Sequence, residues 1–266
     1  MRIAVAGSTG TVGAHVMREA LQAGHDVLGL ARRPGGDGHP GGLREPLPDA
    51  TTGRLTTLPV DLTTAAGLDL SGVDAVIDVS ASPKLSGSEA FFGAVTEHLL
   101  RAAAAAGVQH YVALSIVGAA QHPYGYYAGK ALQERLVSEG ETPWTVLRAT
   151  QFFEFADQSS FSLGPWTVMP KMRSQPVAAS SVARRLVELA SGPPRGFAGE
   201  LAGPDELWMA DLGRMVLETH GLSQTVIELP LPGKFGRAIR TGGCLPGPGA
   251  EIDSVSYEDW LAEGAR

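Results

Sequence analysis

Residues 1–13 read MRIAVAGSTGTVG, and this stretch decides the fold. Ile3-Ala4-Val5-Ala6 is an unbroken apolar run of strand length, the texture of a strand buried on both faces. It runs directly into Gly7-Ser8-Thr9-Gly10-Thr11-Val12-Gly13. From Thr11 the spacing turns helical: Val12, Val16, Met17, Ala20 and Leu21 share one face, and Gly24 closes the run. In such a strand–turn–helix Gly7 allows the tight turn, Gly10 the close approach of an anion, and Gly13 the packing of helix on strand. The backbone amides and dipole of the helix start favour a pyrophosphate. Residues 7–13 are therefore predicted to bind a dinucleotide, with a plain strand–turn–helix as the alternative that glycines alone leave open.

The pattern repeats outward from this opening. Strands are predicted over 26–31, 55–59, 72–79, 110–114 and 144–148, with helices over 91–106 and 124–138. Residues 34–54, rich in glycine and proline, read as loop. Alternating strands and helices with nearly unbroken apolar strands predict an α/β fold: a Rossmann-type, doubly wound parallel sheet covered on both faces. The texture changes near residue 150. Residues 151–170 are irregular and aromatic-rich, followed by predicted helices over 182–190 and 207–221 and strands at 200–202 and 225–229. The expected division is a dinucleotide-binding core over 1–150 and, over 151–266, mostly a smaller and less regular substrate lobe with elements returning to the core.

Composition narrows the function classes. A chain of 266 residues with net charge −7 has no basic surplus for a nucleic-acid backbone. No apolar stretch is long enough to span a bilayer, and with a strand already at Ile3 no signal peptide is expected. Cys244 is the single cysteine, which suits a reducing cytoplasm. The histidines show no ligand-like spacing, so no metal site is expected.

Ligands of such sheets bind at the carboxyl ends of the strands. The second strand ends in Arg32-Arg33 where an NAD-selective site would place an acid; guanidinium forks there suit a 2′-phosphate, so NADP(H) is expected over NAD(H). Both could instead form a solvated loop face. Asp61 and Leu62 leave the third strand where adenine would rest, and Ser80, Ala81 and Ser82 leave the fourth near the second ribose. Tyr126 and Lys130 are i and i+4 on one helix and share a face. An ammonium there would lower the phenol pKa and let it exchange protons near neutrality. Ser115, at the end of the fifth strand, is placed to hydrogen-bond a substrate carbonyl. The expected catalytic set is Tyr126, Lys130 and Ser115, with Lys130 also on the cofactor ribose; a helix with an aromatic inner face is the alternative.

The chain resembles an atypical short-chain dehydrogenase/reductase of the NmrA-like, NAD(P)H-binding group. The resemblance rests on GSTGTVG at 7–13, ARR at 31–33, VDLT at 60–63, YYAGKALQE at 126–134 and LRATQFFEF at 147–155, with QPVAASSVA at 175–183 and LAGPDEL at 201–207. It implies that Lys130 is the cofactor-ribose lysine, Tyr126 the general acid of the YxxxK motif, and Ser115 the serine preceding them. Ser115 is followed by Ile116-Val117 where the group often has paired hydroxyls, and Ser180-Ser181 stand where it often has acids.

Gln151, Phe152 and Phe153 follow the sixth strand at the expected pocket floor, and Trp166 continues the aromatic character. An aromatic, charge-poor cover predicts a hydrophobic small-molecule substrate, aromatic or polyketide-like; ordinary core beneath the lobe is the alternative. The expected activity is an NADPH-dependent oxidoreductase reducing a carbonyl. Two further readings stay open: an epimerase, cyclase or dehydratase of a natural-product pathway, and a non-catalytic NADP(H)-sensing regulator. A monomer or homodimer in the cytoplasm, without membrane or nucleic-acid partners, is expected.

Overall fold

The computed structural model describes residues 1–33, 53–82, 86–155 and 161–264; most of the predicted loop 34–54 lies outside them. The first 150 residues form β1 (Arg2–Ala6), α1 (Thr11–Gln22), β2 (Asp26–Ala31), β3 (Leu55–Pro59), β4 (Ala75–Asp78), α2 (Ser88–Ala106), β5 (His110–Ile116), α3 (Tyr126–Glu139) and β6 (Trp144–Ala149). Then follow β7 (Phe161–Leu163), β8 (Trp166–Pro170), β9 (Arg173–Ser174), α4 (Ala179–Ala190), β10 (Gly196–Ala202) and β11 (Leu207–Trp208). The chain continues through α5 (Met209–Thr219), β12 (Thr225–Leu229), α6 (Gly233–Arg240), β13 (Glu251–Ile252) and α7 (Tyr257–Gly264).

Eight strands pair in the order β13-β10-β6-β5-β4-β1-β2-β3, and all pairings are parallel. The strand order reverses beside β1, the switch point where α/β sheets bind ligands. Ala6 pairs with Leu30 on one side and Asp78 on the other, so the Gly7 turn opens between the ends of β2 and β4. Strand alternation sends successive residues to opposite faces. Ile3, Val5, Ile77, Val112 and Leu114 pack with Val12, Val16 and Met17 of α1 and with Val182 and Leu186 of α4. Ala4, Ala6, Val76, Tyr111 and Ala113 pack on the other face with Val95 and Leu99 of α2 and Val137 of α3. This is the doubly wound Rossmann-type sheet.

The later part of the chain departs from expectation in detail. The stretch read as irregular contains an antiparallel hairpin, β7–β8, with Leu163 opposite Trp166 across a turn whose Gly164 has φ +61°. β12 adds to β8 in parallel, making a separate three-stranded sheet. The helix read from residue 207 begins two residues later, because Leu207 and Trp208 pair with β9. A third cluster, including Phe153, Met169, Met209, Leu212, Ile239 and Tyr257, forms the core beneath this lobe. α4, β10 and β13 return to the large sheet. Among the described residues no helix is long and apolar enough to cross a membrane.

Candidate cofactor and active site

Gly7 has φ +82°, and a Cβ there would stand 2.9 Å from the Val79 carbonyl oxygen. A Cβ on Gly13 would collide with the Gly7 carbonyl. The Gly10 amide bonds that carbonyl at 3.0 Å and closes the turn. α1 then starts with no side-chain cap and no acid in its first turn. Its uncommitted amides and dipole are what an anion needs, and Thr9, Gly10 and Thr11 are exposed around them. Ser8 and Val12 turn their side chains away from this exposed surface. The buried Ser8 hydroxyl donates to the Leu30 carbonyl at 3.2 Å, and Val12 packs in the core, so both side chains support the turn from inside.

Beyond this turn an open cleft of about 600 Å³ is lined by Thr9, Arg32, Arg33, Pro59, Val60 and Asp61, among others. The Asp61 carboxylate accepts from the Thr63 hydroxyl at 2.7 Å and the Thr63 amide at 2.9 Å. These bonds hold its carboxyl below the usual range, and the Arg32 charge adds to the effect. Leu62 does not face the cleft: its side chain is in the core, and its carbonyl accepts from His98 Nδ1 at 2.9 Å.

At the other end of the sheet edge, Ser80 and Ser115 are buried, and among the described residues their hydroxyls have no hydrogen-bond partner. The β4–β5 register pairs Asp78 with Ala113, so two residues further on these serines lie at neighbouring strand ends. Lys130 is only 4 % exposed. Its Nζ donates to the Leu114 carbonyl (2.8 Å), Gln133 Oε1 (2.9 Å) and the Ser80 carbonyl (3.4 Å). Burial pulls its pKa down to about 8, against the upward pull of the Asp78 and Glu134 carboxylates. Tyr126 stands at the start of the same helix. Burial pushes its phenol up to about 12; a hydrogen bond from the Ser82 backbone opposes this and the Asp78 charge adds to it. The expected lowering of the phenol by Lys130 is therefore not what the arrangement produces. Ala81 is exposed on the connecting segment.

Asp78 and Gln133 were missed by sequence reasoning. Asp78 ends β4 with no exposure at all. Its one signal is an acid closing the apolar run Ala75-Val76-Ile77. Gln133, one turn beyond Lys130, carries no sequence signal.

On the substrate side, Gln151 Nε2 donates to the Tyr127 hydroxyl at 3.2 Å, which donates to Cys244 Sγ at 3.3 Å. Gln151 Oε1 is buried and has no partner among the described residues. The aromatic expectations are corrected. Phe153 is core, 5.2 Å from the Tyr257 ring and 5.6 Å from Trp260. Phe152 packs against the large sheet's core, and Trp166 is exposed on the separate sheet. Core packing accounts for Phe152 and Phe153, and a surface position for Trp166.

Fold and site together define a dinucleotide-binding α/β protein. Residues 7–193 match the model of the NAD(P)H-binding family, and the chain belongs to that family. Photosystem II assembly factor Ycf39 of Synechocystis sp. is 28% identical over 205 residues, covering 72% of this chain and 60% of that protein. The chain thus spans less than two thirds of this curated relative's length. MoeE5, solved with UDP-glucuronic acid and NAD, shares the fold at TM-score 0.70 and 18% identity, covering 98% of this chain and 97% of that one. UDP-glucose 4-epimerase of Bifidobacterium longum, solved with NAD+ and UDP, does so at TM-score 0.71 and 13% identity, covering 100% and 97%.

Two expectations are overturned here. Both of these structures hold NAD, not NADP, and in this chain Arg32 lies beside the Asp61 carboxylate instead of in an unopposed basic clamp. Both also hold polar uridine nucleotides, against the expectation of a hydrophobic small-molecule partner, and the aromatic residues that suggested one are core or exposed surface.

Proposed function

We propose that this chain is an NAD(H)-dependent enzyme of the epimerase, dehydratase or oxidoreductase kind, acting on a polar small molecule of the nucleoside-diphosphate-sugar class. The observation that carries this reading is a set of buried polar atoms without a hydrogen-bond partner among the described residues, at three neighbouring strand ends: Ser80 Oγ, Ser115 Oγ and Gln151 Oε1. Buried polar groups are ordinarily satisfied, so such a row suits a ligand that completes it. It lies beside Lys130 and Tyr126, on the sheet edge that also carries the uncapped α1.

In this reading Thr9, Gly10 and Thr11 hold the pyrophosphate, and Arg32, Arg33 and Asp61 border the adenosine end. Lys130 with Ser80 and Ser82 stands at the nicotinamide ribose. Bound NAD supplies a hydride acceptor and donor. Ser115 donates a hydrogen bond to the reacting oxygen, and Tyr126 exchanges a proton with it. A phenol held near 12 keeps that proton at neutral pH, which suits an acid. Gln151 and the lobe over 151–266 face the rest of the substrate. α6 supports an anionic one: it carries exposed Lys234 and Arg237, and its Phe235 ring meets Tyr127 at 5.2 Å.

The test is thermal shift with NAD, UDP, UDP-glucose and UDP-glucuronic acid, followed by nicotinamide absorbance and product analysis. NAD should raise the melting temperature, uridine nucleotides should add to the rise, and sugar turnover should follow. Absence of NAD binding overturns the reading. The engagement of Lys130 by three acceptors, together with a relative named as an assembly factor, favours a second reading: a dinucleotide sensor. NAD binding without turnover of any sugar nucleotide would select it.

A further inference from the structure

Asp78 and Lys130 are a buried acid and a buried base that do not touch in the pattern of hydrogen bonds; an amide joins them. Asp78 Oδ2 accepts from the Tyr111 hydroxyl at 2.7 Å and from Gln133 Nε2 at 2.8 Å, while Oδ1 accepts from the Ser80 amide at 3.0 Å. Gln133 Oε1 accepts from Lys130 Nζ at 2.9 Å. Gln133 has no exposure. Its orientation is forced, because a carboxylate only accepts and an ammonium only donates, so Nε2 must face Asp78 and Oε1 must face Lys130. Elsewhere on the same helix the chain makes a direct pair, Glu134 to Arg148 at 2.7 Å. The interposed amide therefore does something a direct pair would not. It leaves Nζ at the Leu114 and Ser80 carbonyls, at the strand ends, while tying it to the carboxylate.

We propose that Asp78 and Gln133 are positioning residues that, through the Gln133 amide, fix the Lys130 ammonium at the strand ends beside the Ser80 and Ser115 hydroxyls and set the pH range over which it is charged. The inference rests on the reading of Lys130 as a cofactor ligand. The groups facing Lys130 are Asp78 from β4, Glu134 and Tyr126 from α3, Tyr111 from β5 through Asp78, Arg148 from β6 through Glu134, and the uncharged Phe92 ring from α2. Asp78 raises Lys130 and also raises Tyr126. One carboxylate thus favours the protonated form of both side chains.

The experiment is a pH titration by NMR of protein labelled with ¹⁵N at the side chains of its four lysines and of its glutamines, with Lys130 and Gln133 assigned by their loss in Lys130→Met and Gln133→Met. Gln133→Met fills the volume but bridges nothing, and should lower the Lys130 midpoint by about one pH unit or more. Asp78→Asn should do the same. Gln133→Glu restores an acceptor toward Lys130 and should hold the midpoint at or above that of the wild type. In the wild type, with no substitution at all, the Gln133 side-chain amide resonance should titrate with the Lys130 midpoint. An unmoved Lys130 midpoint in folded Gln133→Met, or a Gln133 amide blind to that titration, overturns the proposal; the latter is read in the wild type, with through-bond and NOE assignment where a variant fails to fold. Added NAD separates the two layers: if it leaves the Lys130 resonance unchanged, the cofactor reading fails while the amide bridge stands on the titrations.

Discussion

Lys130 Nζ lies 4.4 Å from the centroid of the Phe92 ring, and the same ring meets Tyr126 edge-on, centroids 5.4 Å apart at 88°. The tyrosine and lysine that share a helix face thus also share an aromatic ring from α2. The ammonium is turned toward the strand-end carbonyls, and the phenol toward the Ser82 backbone. The proposed function gives the two separate tasks, and substitutions should separate them.

Tyr126→Phe removes the proposed proton carrier and keeps the ring that packs on Phe92. Turnover should fall by about 10²–10⁴-fold, the range for one general acid–base group. The Kd for NADH, read by fluorescence, should stay within about twofold of the wild type, since a uniform-binding contact is not lost. Unchanged rates on a substrate established by the sugar-nucleotide panel would remove Tyr126 from the chemistry.

Gly13→Ala places a methyl group against the Gly7 carbonyl. Backbone is in the way, not a flexible side chain, so helix and turn must part. Overpacking of this kind costs about 1–3 kcal/mol, measurable by urea unfolding. Because the shift opens the phosphate turn itself, NAD affinity should drop about tenfold or more, in line with 1.4 kcal/mol per decade. Wild-type affinity by calorimetry in this variant would show that residues 7–13 are only a structural turn.

Glu134 binds Arg148 through both carboxylate oxygens, at 2.9 Å to Nε and 2.7 Å to Nη2, with side-chain exposures of 5% and 20%. This clamp ties α3, and with it Tyr126 and Lys130, to β6. Glu134→Ala leaves a half-buried guanidinium without its acid and should cost about 3 kcal/mol. Arg148→Ala should cost a similar amount, and the double variant less than the sum. Additive losses in denaturant titrations would show that the pair does not act as a unit.

What could be read from the chain follows from where its signals are local. β1, β2 and β4 were legible because strands buried on both faces must be almost continuously apolar, and β3, an exposed edge strand, because turn-forming residues bound it. The glycine turn was legible because each of Gly7 and Gly13 answers a steric demand within the segment itself. The β7–β8 hairpin and α6 were not: their apolar partners, such as Phe153, Met209 and Tyr257, come from other parts of the chain. Phe152 and Phe153 looked like a pocket floor because core and cavity wall draw on the same side chains, and only the positions of Tyr257 and Trp260 decide between them. Arg32 and Arg33 looked like a phosphate clamp because the acid beside Arg32 arrives from the end of β3. Gln133 was invisible because a glutamine on a helix is informative only once its two partners are known.

The cost of burying Lys130 should appear as a pH dependence of stability. Its folded pKa is about 8 against 10.5 unfolded. Between those values the unfolded chain binds more protons, so this residue makes stability rise with pH, and the burden of the buried charge is fully present below pH 8. Lys130→Met carries no such burden. The free energy of unfolding of the wild type minus that of Lys130→Met should therefore rise by roughly 2 kcal/mol between about pH 7 and pH 10, with other titrations cancelling between the two proteins. The measurement is a set of urea unfolding curves at matched ionic strength. A difference that stays constant across that range would mean that Lys130 keeps an ordinary lysine pKa despite its burial, and that the carbonyls and Gln133 around it solvate the ammonium as well as water does.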